Sequence, residues 1–149
     1  MADDCCTWSI DEVIPSERGA GRAVQDRVLG ELSRRKWNEG ELFGVRLALE
    51  EAIVNAIKHG NQHDATKQVR IACEVSDDRL WVSVADEGPG FDPDRVPDPT
   101  FDERLEIPSG RGIALMKAFM CQVQYTAGGN CVVMEKRRFF YGAAQQESR

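Results

Sequence analysis

The stretch Leu47–Gly60, LALEEAIVNAIKHG, limits what this chain can fold into more than any other. Ala, Leu, Glu, Ile and Lys dominate it, and neither Pro nor an interior Gly interrupts it, so it reads as a helix. On a wheel of roughly 100° per residue, Val45, Leu49, Ala52, Ile53, Ala56 and Ile57 fill one broad apolar arc. Glu51, Asn55 and His59 recur along one edge of that arc as a polar stripe. A carboxylate, an amide and an imidazole at the margin of a buried face are costly unless something satisfies them. Water or backbone would do so in an ordinary core helix; a bound ligand would do so in a functional one.

A chain of 149 residues suits one domain and is long enough for a core without disulfides or metals. It is 42% hydrophobic and 30% charged, ordinary values for a soluble globular protein. The net charge of −6 gives no basic surface for nucleic acid, so no direct nucleic-acid contact is expected. No apolar run would span a bilayer, and MADDCCTWSIDE lacks the basic and apolar regions of a secretory signal. The expected location is therefore cytoplasmic. Cys5, Cys6, Cys73, Cys121 and Cys131 show no CxxC spacing and no even pairing. The last three fall in or at the start of strand-like runs and read as buried small hydrophobes.

Along the chain, Thr7–Pro15 leans towards a short edge strand. Ser16 and Glu17 look like a helix start, and Glu17–Lys36 reads as a helix with Ala20, Ala23, Val24, Val28, Leu29 and Leu32 on its apolar side. Its Arg34-Arg35-Lys36 end reads as a solvated terminus that favours the helix dipole, or as a docking patch. Asn38–Glu41 opens the central helix, and Gly60-Asn61 caps it. His63 sits in the polar loop Gln62–Lys67 and is expected to be exposed.

Gln68–Val75 and Arg79–Ala85 alternate as a β-hairpin. Asp92–Ser109, with four prolines and many acids, is too long and polar for an ordinary connection and reads as a lid. Ile113–Met120 is a helix, Gln122–Thr126 and Cys131–Arg137 form a second hairpin, and Gly142–Arg149 is a polar tail. The order β, α, α, β, β, lid, α, β, β predicts an α+β two-layer sandwich, its sheet mixed but mostly antiparallel, with helices on one face.

Two glycine stretches give the polar stripe a context. Asp86-Glu87-Gly88-Pro89-Gly90-Phe91 follows a strand, and an Asp beside glycines suits recognition of a ring amine. Ser109-Gly110-Arg111-Gly112-Ile113 opens a helix, where free N–H groups and Arg111 would attract phosphate. Neither a Walker loop nor a Rossmann fingerprint is present. The order matters more than either piece: ExxxNAxxHG on a helix, strand then DxGxGF, a long lid, then GxG opening a helix. From roughly Pro15 to Lys136 this resembles the N, G1 and G2 boxes of the GHKL superfamily, whose nucleotide fold is called the Bergerat fold. It is most similar to the small anti-sigma-factor serine/threonine kinases.

The resemblance implies roles by position. Glu51 would be the general base, and Asn55 would coordinate Mg²⁺ on the ATP phosphates. His59 and Gly60 would complete the box. Asp86 would bind the adenine amino group, with Gly88, Gly90 and Phe91 shaping the pocket. Gly110, Arg111, Gly112 and Ile113 would form the phosphate-binding turn under the lid. Many relatives carry a Thr on the final hairpin near adenine, whereas this chain has Asn130-Cys131-Val132. The implied partners are a sigma factor and an anti-sigma-factor antagonist of the STAS type, and homodimerisation is typical of the resembled kinases. A nucleotide-gated binding module with little or no phosphotransfer is the alternative, as is a partner-switching circuit without a sigma factor.

Overall fold

The computed structural model describes residues 7–88, 110–126 and 128–138. Strand β1 (Trp8–Pro15) leads into helices α1 (Arg18–Arg34) and α2 (Glu39–Asn55), and a π-helical turn, Ala56–Gly60, ends α2. Strands β2 (Gln68–Val75) and β3 (Arg79–Ala85), helix α3 (Gly110–Phe119) and strands β4 (Gln122–Tyr125) and β5 (Cys131–Arg137) complete the described elements. The five strands form one sheet in the order β1-β2-β3-β5-β4. Every pairing in it is antiparallel, from Trp8 opposite Val75 to Tyr125 opposite Val132. Pro15 lies at the end of an edge strand, where its missing N–H is tolerated.

Strand alternation sets the layers. Val69, Ile71, Cys73 and Val75 of β2, Leu80, Val82 and Val84 of β3, and Val132 and Met134 of β5 all turn one way and are buried. Val28 and Leu32 of α1, Val45, Leu49 and Ile53 of α2, and Met116 of α3 cover them. Helix α2 packs against both α1 and α3, so it is apolar over much of its circumference and sits at the centre of the helical layer. It starts on a full capping box: Asn38 Oδ1 accepts from Glu41 N at 2.8 Å, and Asn38 N donates to Glu41 Oε1 at 3.3 Å. This is the expected α+β arrangement, with the helices on one face. No helix among the described residues is long and apolar enough to cross a membrane.

Several local expectations are corrected. Glu17, not Ser16, occupies the N-cap of α1. The buried Ser16 hydroxyl is instead drawn across the fold to Lys67 O at 2.8 Å. Helix α3 begins at Gly110, three residues before the apolar run signals it. Cys73 is buried, and burial pushes its thiol up to about 12, whereas Cys131 is half-buried and Cys121 is exposed. Cys121 precedes β4, outside the alternation that would turn it inward, and accepts a hydrogen bond from Arg137 N at 3.3 Å. His63 is exposed, as expected.

The end of α1 is no simple solvated terminus. The Arg35 side chain is only 7% exposed and donates to Glu31 Oε2 at 2.7 Å and to Asp77 Oδ1 at 3.0 Å. Arg138 reaches the same corner, donating to the carbonyls of Asp77 and Lys36. Together they tie α1 to the β2–β3 turn and the end of β5. The Arg34 and Arg35 guanidiniums hold the Glu31 carboxyl below its usual range. Arg34 is open to water, so its share is small; Arg35 is not. Glu31→Gln is therefore expected to cost about 2 kcal/mol near neutral pH, because Arg35 loses its buried partner. A depressed carboxylate stabilises above its unfolded pKa and stops doing so as pH falls through its native one. The gap between wild type and variant in urea midpoints should therefore narrow below pH 4.5.

Candidate active site

Residues Ala56–Gly60 do not continue the α-helix. Asn61 N donates to Ala56 O at 2.8 Å, and His63 N to Ile57 O at 2.8 Å, so the backbone bonds widen as the helix ends. A π turn of this kind adds a residue to the helix and is common at functional sites. Glu51 and Asn55 stay on the α-helical part, four residues apart on one face. His59 falls on the wider turn and is half-buried.

The carboxylate of Asp86 lies directly over Gly60. A Cβ on Gly60 would overlap that carboxylate, and a Cβ on Gly88 would overlap the Gly60 carbonyl oxygen. Gly60 is therefore fixed by the close approach of the Asp86 side chain, and Gly88 by that of the Gly60 backbone, rather than by turn freedom. Gly88 N donates to Asp86 Oδ1 at 2.8 Å, and Asp86 N donates to Asn130 O at 2.9 Å. One carboxylate oxygen is thus held by the turn, and the turn is anchored to the hairpin before β5. Burial raises the Asp86 carboxyl above its ordinary value, opposed by the Gly88 N–H and the Lys67 charge.

Glu51 is half-buried, and burial raises its carboxyl too, with the neighbouring Glu50 charge adding to it and Lys58 opposing. Asn55 is 9% exposed. The phenol of Tyr125, at the end of β4, stands in the field of both Asp86 and Glu51 beside the Asn55 amide. Burial is the main force holding its pKa up. Two half-buried carboxylates, through their charge, and the buried Asn55 amide, through a hydrogen bond, thus act on Tyr125. Such a group is expensive in an empty protein and suited to a polar ligand.

Sequence reasoning missed Tyr125, whose only signal was inward alternation on a short strand. It also missed Asn61, which is fully buried. Among the residues expected at the phosphates, Gly110–Gly112 form the first turn of α3, and Ile113 is buried in the core. Gly90, Phe91 and the lid lie outside the described residues, as do Cys5, Cys6 and the tail. No cluster of three or more metal-ligating His, Cys, Asp or Glu occurs among the described residues. Asn55 nevertheless fits a hard cation, since its amide oxygen is of the donor type Mg²⁺ prefers and phosphates and water supply the other oxygens. Gly60→Ala is expected to displace Asp86 and weaken nucleotide binding on the order of 100-fold, read by titration calorimetry, because a small misplacement of a positioning group is costly.

Residues 14–136 match the profile of a family described as histidine kinase-like ATPase domain. The serine-protein kinase RsbW of Bacillus subtilis (strain 168) is 31% identical over 123 residues, covering 77% of this chain and 76% of the relative. An anti-sigma F factor of Clostridium beijerinckii is 30% identical over 103 residues, covering 66% and 72%. The solved structure of the RsbU and RsbW domains of a Mycobacterium tuberculosis protein superposes with a TM-score of 0.59 at 16% identity. That match spans 88% of this chain and 32% of the other, and shows a shared fold.

Proposed function

The chain belongs to the histidine kinase-like ATPase family, and from that premise we propose that it is an anti-sigma factor that phosphorylates its antagonist. It uses ATP and acts as a protein serine/threonine kinase, like the relatives at about the same level of identity that are named for serine-kinase and anti-sigma activity. The observation that carries the reading to particular atoms is that Asn55, Asp86 and Glu51 all act on the Tyr125 phenol.

In this reading Asp86 accepts a hydrogen bond from the adenine amino group through the oxygen that Gly88 leaves unused. Glu51 takes the proton from a serine or threonine hydroxyl on the partner. The hydroxyl oxygen bonds to the γ-phosphorus, the bond from that phosphorus to the bridging oxygen breaks, and ADP leaves with the electron pair. The raised basicity of Glu51 suits it to that proton transfer. Asn55 is the residue that would hold Mg²⁺, which supplies charge neutralisation on the phosphates when bound. A phosphate newly placed at the docking surface would loosen the antagonist by repulsion and desolvation. The partners would be a sigma factor and a STAS-type antagonist, which would place the protein in the cytoplasm, as a homodimer like the resembled kinases.

The test is transfer of label from γ-labelled ATP to a purified STAS-domain antagonist. Label on a serine or threonine supports the reading. ATP-dependent complex formation with no label in any antagonist would favour a nucleotide-gated binding module instead.

A further inference from the structure

We infer that Asn61 is a positioning residue of the nucleotide site: its side chain fixes where the Asp86–Gly88 turn stands against the end of α2, and so helps set the preference for adenine. The inference rests on the reading of Asp86 as the adenine anchor. Asn61 is 0% exposed, and every hydrogen bond of its side chain goes to another element or turn. Its Nδ2 donates to Ser16 Oγ at 2.9 Å and to Gln68 O at 2.9 Å, and its Oδ1 accepts from Glu87 N at 2.8 Å. Both amide protons are used, and the acceptor is used.

A helix cap does not explain this. The backbone N–H of Asn61 alone closes the π turn onto Ala56 O, and the side chain makes no bond within its own helix. What the side chain does instead is grip the residue next to Asp86. The adjoining Gly60 supplies the surface on which the Asp86 carboxylate rests, and its carbonyl lies against Gly88. Glu87 adds a second tie, its carboxylate accepting from Gln68 N at 3.0 Å. Residues 60–61 and 86–88 therefore form one close-packed unit, and the part-buried Asn61–Glu87 bond is its polar link. An aspartate would lose both donors and face the Gln68 carbonyl with a charge; a leucine would leave Glu87 N–H unpaired.

Ser16→Ala is the control, because it removes a member of the same network without touching the bond to Glu87. Dissociation constants for ATP and GTP are measured by titration calorimetry well below each variant's unfolding midpoint. Asn61→Ala is expected to lower the preference for ATP over GTP by about tenfold, the equivalent of one lost hydrogen bond, while Ser16→Ala keeps the wild-type ratio. Asn61→Ala with a wild-type ratio overturns the inference, since a residue that only stabilises the fold would lower the midpoint and leave selectivity alone. Asp86→Asn separates the two layers. If it still binds ATP with the wild-type preference over GTP, the anchor reading falls and the inference with it; if it loses measurable ATP binding while Asn61→Ala keeps the wild-type ratio, the inference alone fails. Should Asn61→Ala not fold, amide exchange at Glu87 in the wild-type protein decides: protection supports the bond, and exchange at the rate of an open loop overturns it.

Discussion

Glu51→Gln is expected to bind ATP as the wild type does and to lose phosphoryl transfer by about 10²–10⁴, the usual contribution of a general base. The amide keeps the shape of the side chain but cannot take a proton. The fold should not suffer. Burial raises the Glu51 carboxyl in the native state, so above that pKa the ionised group costs native stability, and a neutral amide removes the cost. An unfolding midpoint equal to or above that of the wild type, beside lost transfer, would separate chemistry from folding. The wild-type rate should also show an acid limb centred above the ordinary glutamate value of 4.5. That limb should be missing from any residual activity of the variant. Wild-type rates in Glu51→Gln would remove Glu51 from the chemistry.

Asp86→Asn is expected to abolish measurable ATP binding while leaving the free protein folded. An asparagine can still accept the Gly88 N–H at Oδ1, so the turn keeps its internal bond. Its second atom becomes a donor that meets the adenine amino group donor to donor. Ligand at about 100 times its dissociation constant stabilises by about 2.7 kcal/mol, and that whole increment should vanish in the variant. Retained binding would move the adenine anchor elsewhere on the chain.

Much of this was legible in the sequence because the signals were periodic or covalently local. The alternation of Gln68–Val75 and Arg79–Ala85 gave both strands within their observed bounds. The apolar arc Val45–Ile57 gave the buried face of the central helix. The spacing of Glu51 and Asn55 put them on one face, where the structure has them. What stayed hidden depends on distant partners. Ser16 reads as a cap until Lys67 and Asn61 are folded against it. Arg35 reads as a solvated charge until Asp77 arrives across the turn between β2 and β3. The π turn has no composition of its own, since Ala-Ile-Lys-His-Gly fits an α-helix equally well. Asn61 owes its role to Glu87, 26 positions on, and Tyr125 to groups on other elements, which no local pattern carries.

The most direct measurement is the thermal shift of the wild-type protein by ATP with and without Mg²⁺, alongside Asp86→Asn and Asn55→Ala. The account predicts a nucleotide-dependent rise in the wild type, none in Asp86→Asn, and a rise in Asn55→Ala that no longer depends on Mg²⁺. No shift of the wild type at saturating Mg·ATP would contradict it, leaving a fold that keeps the boxes of a kinase without the pocket.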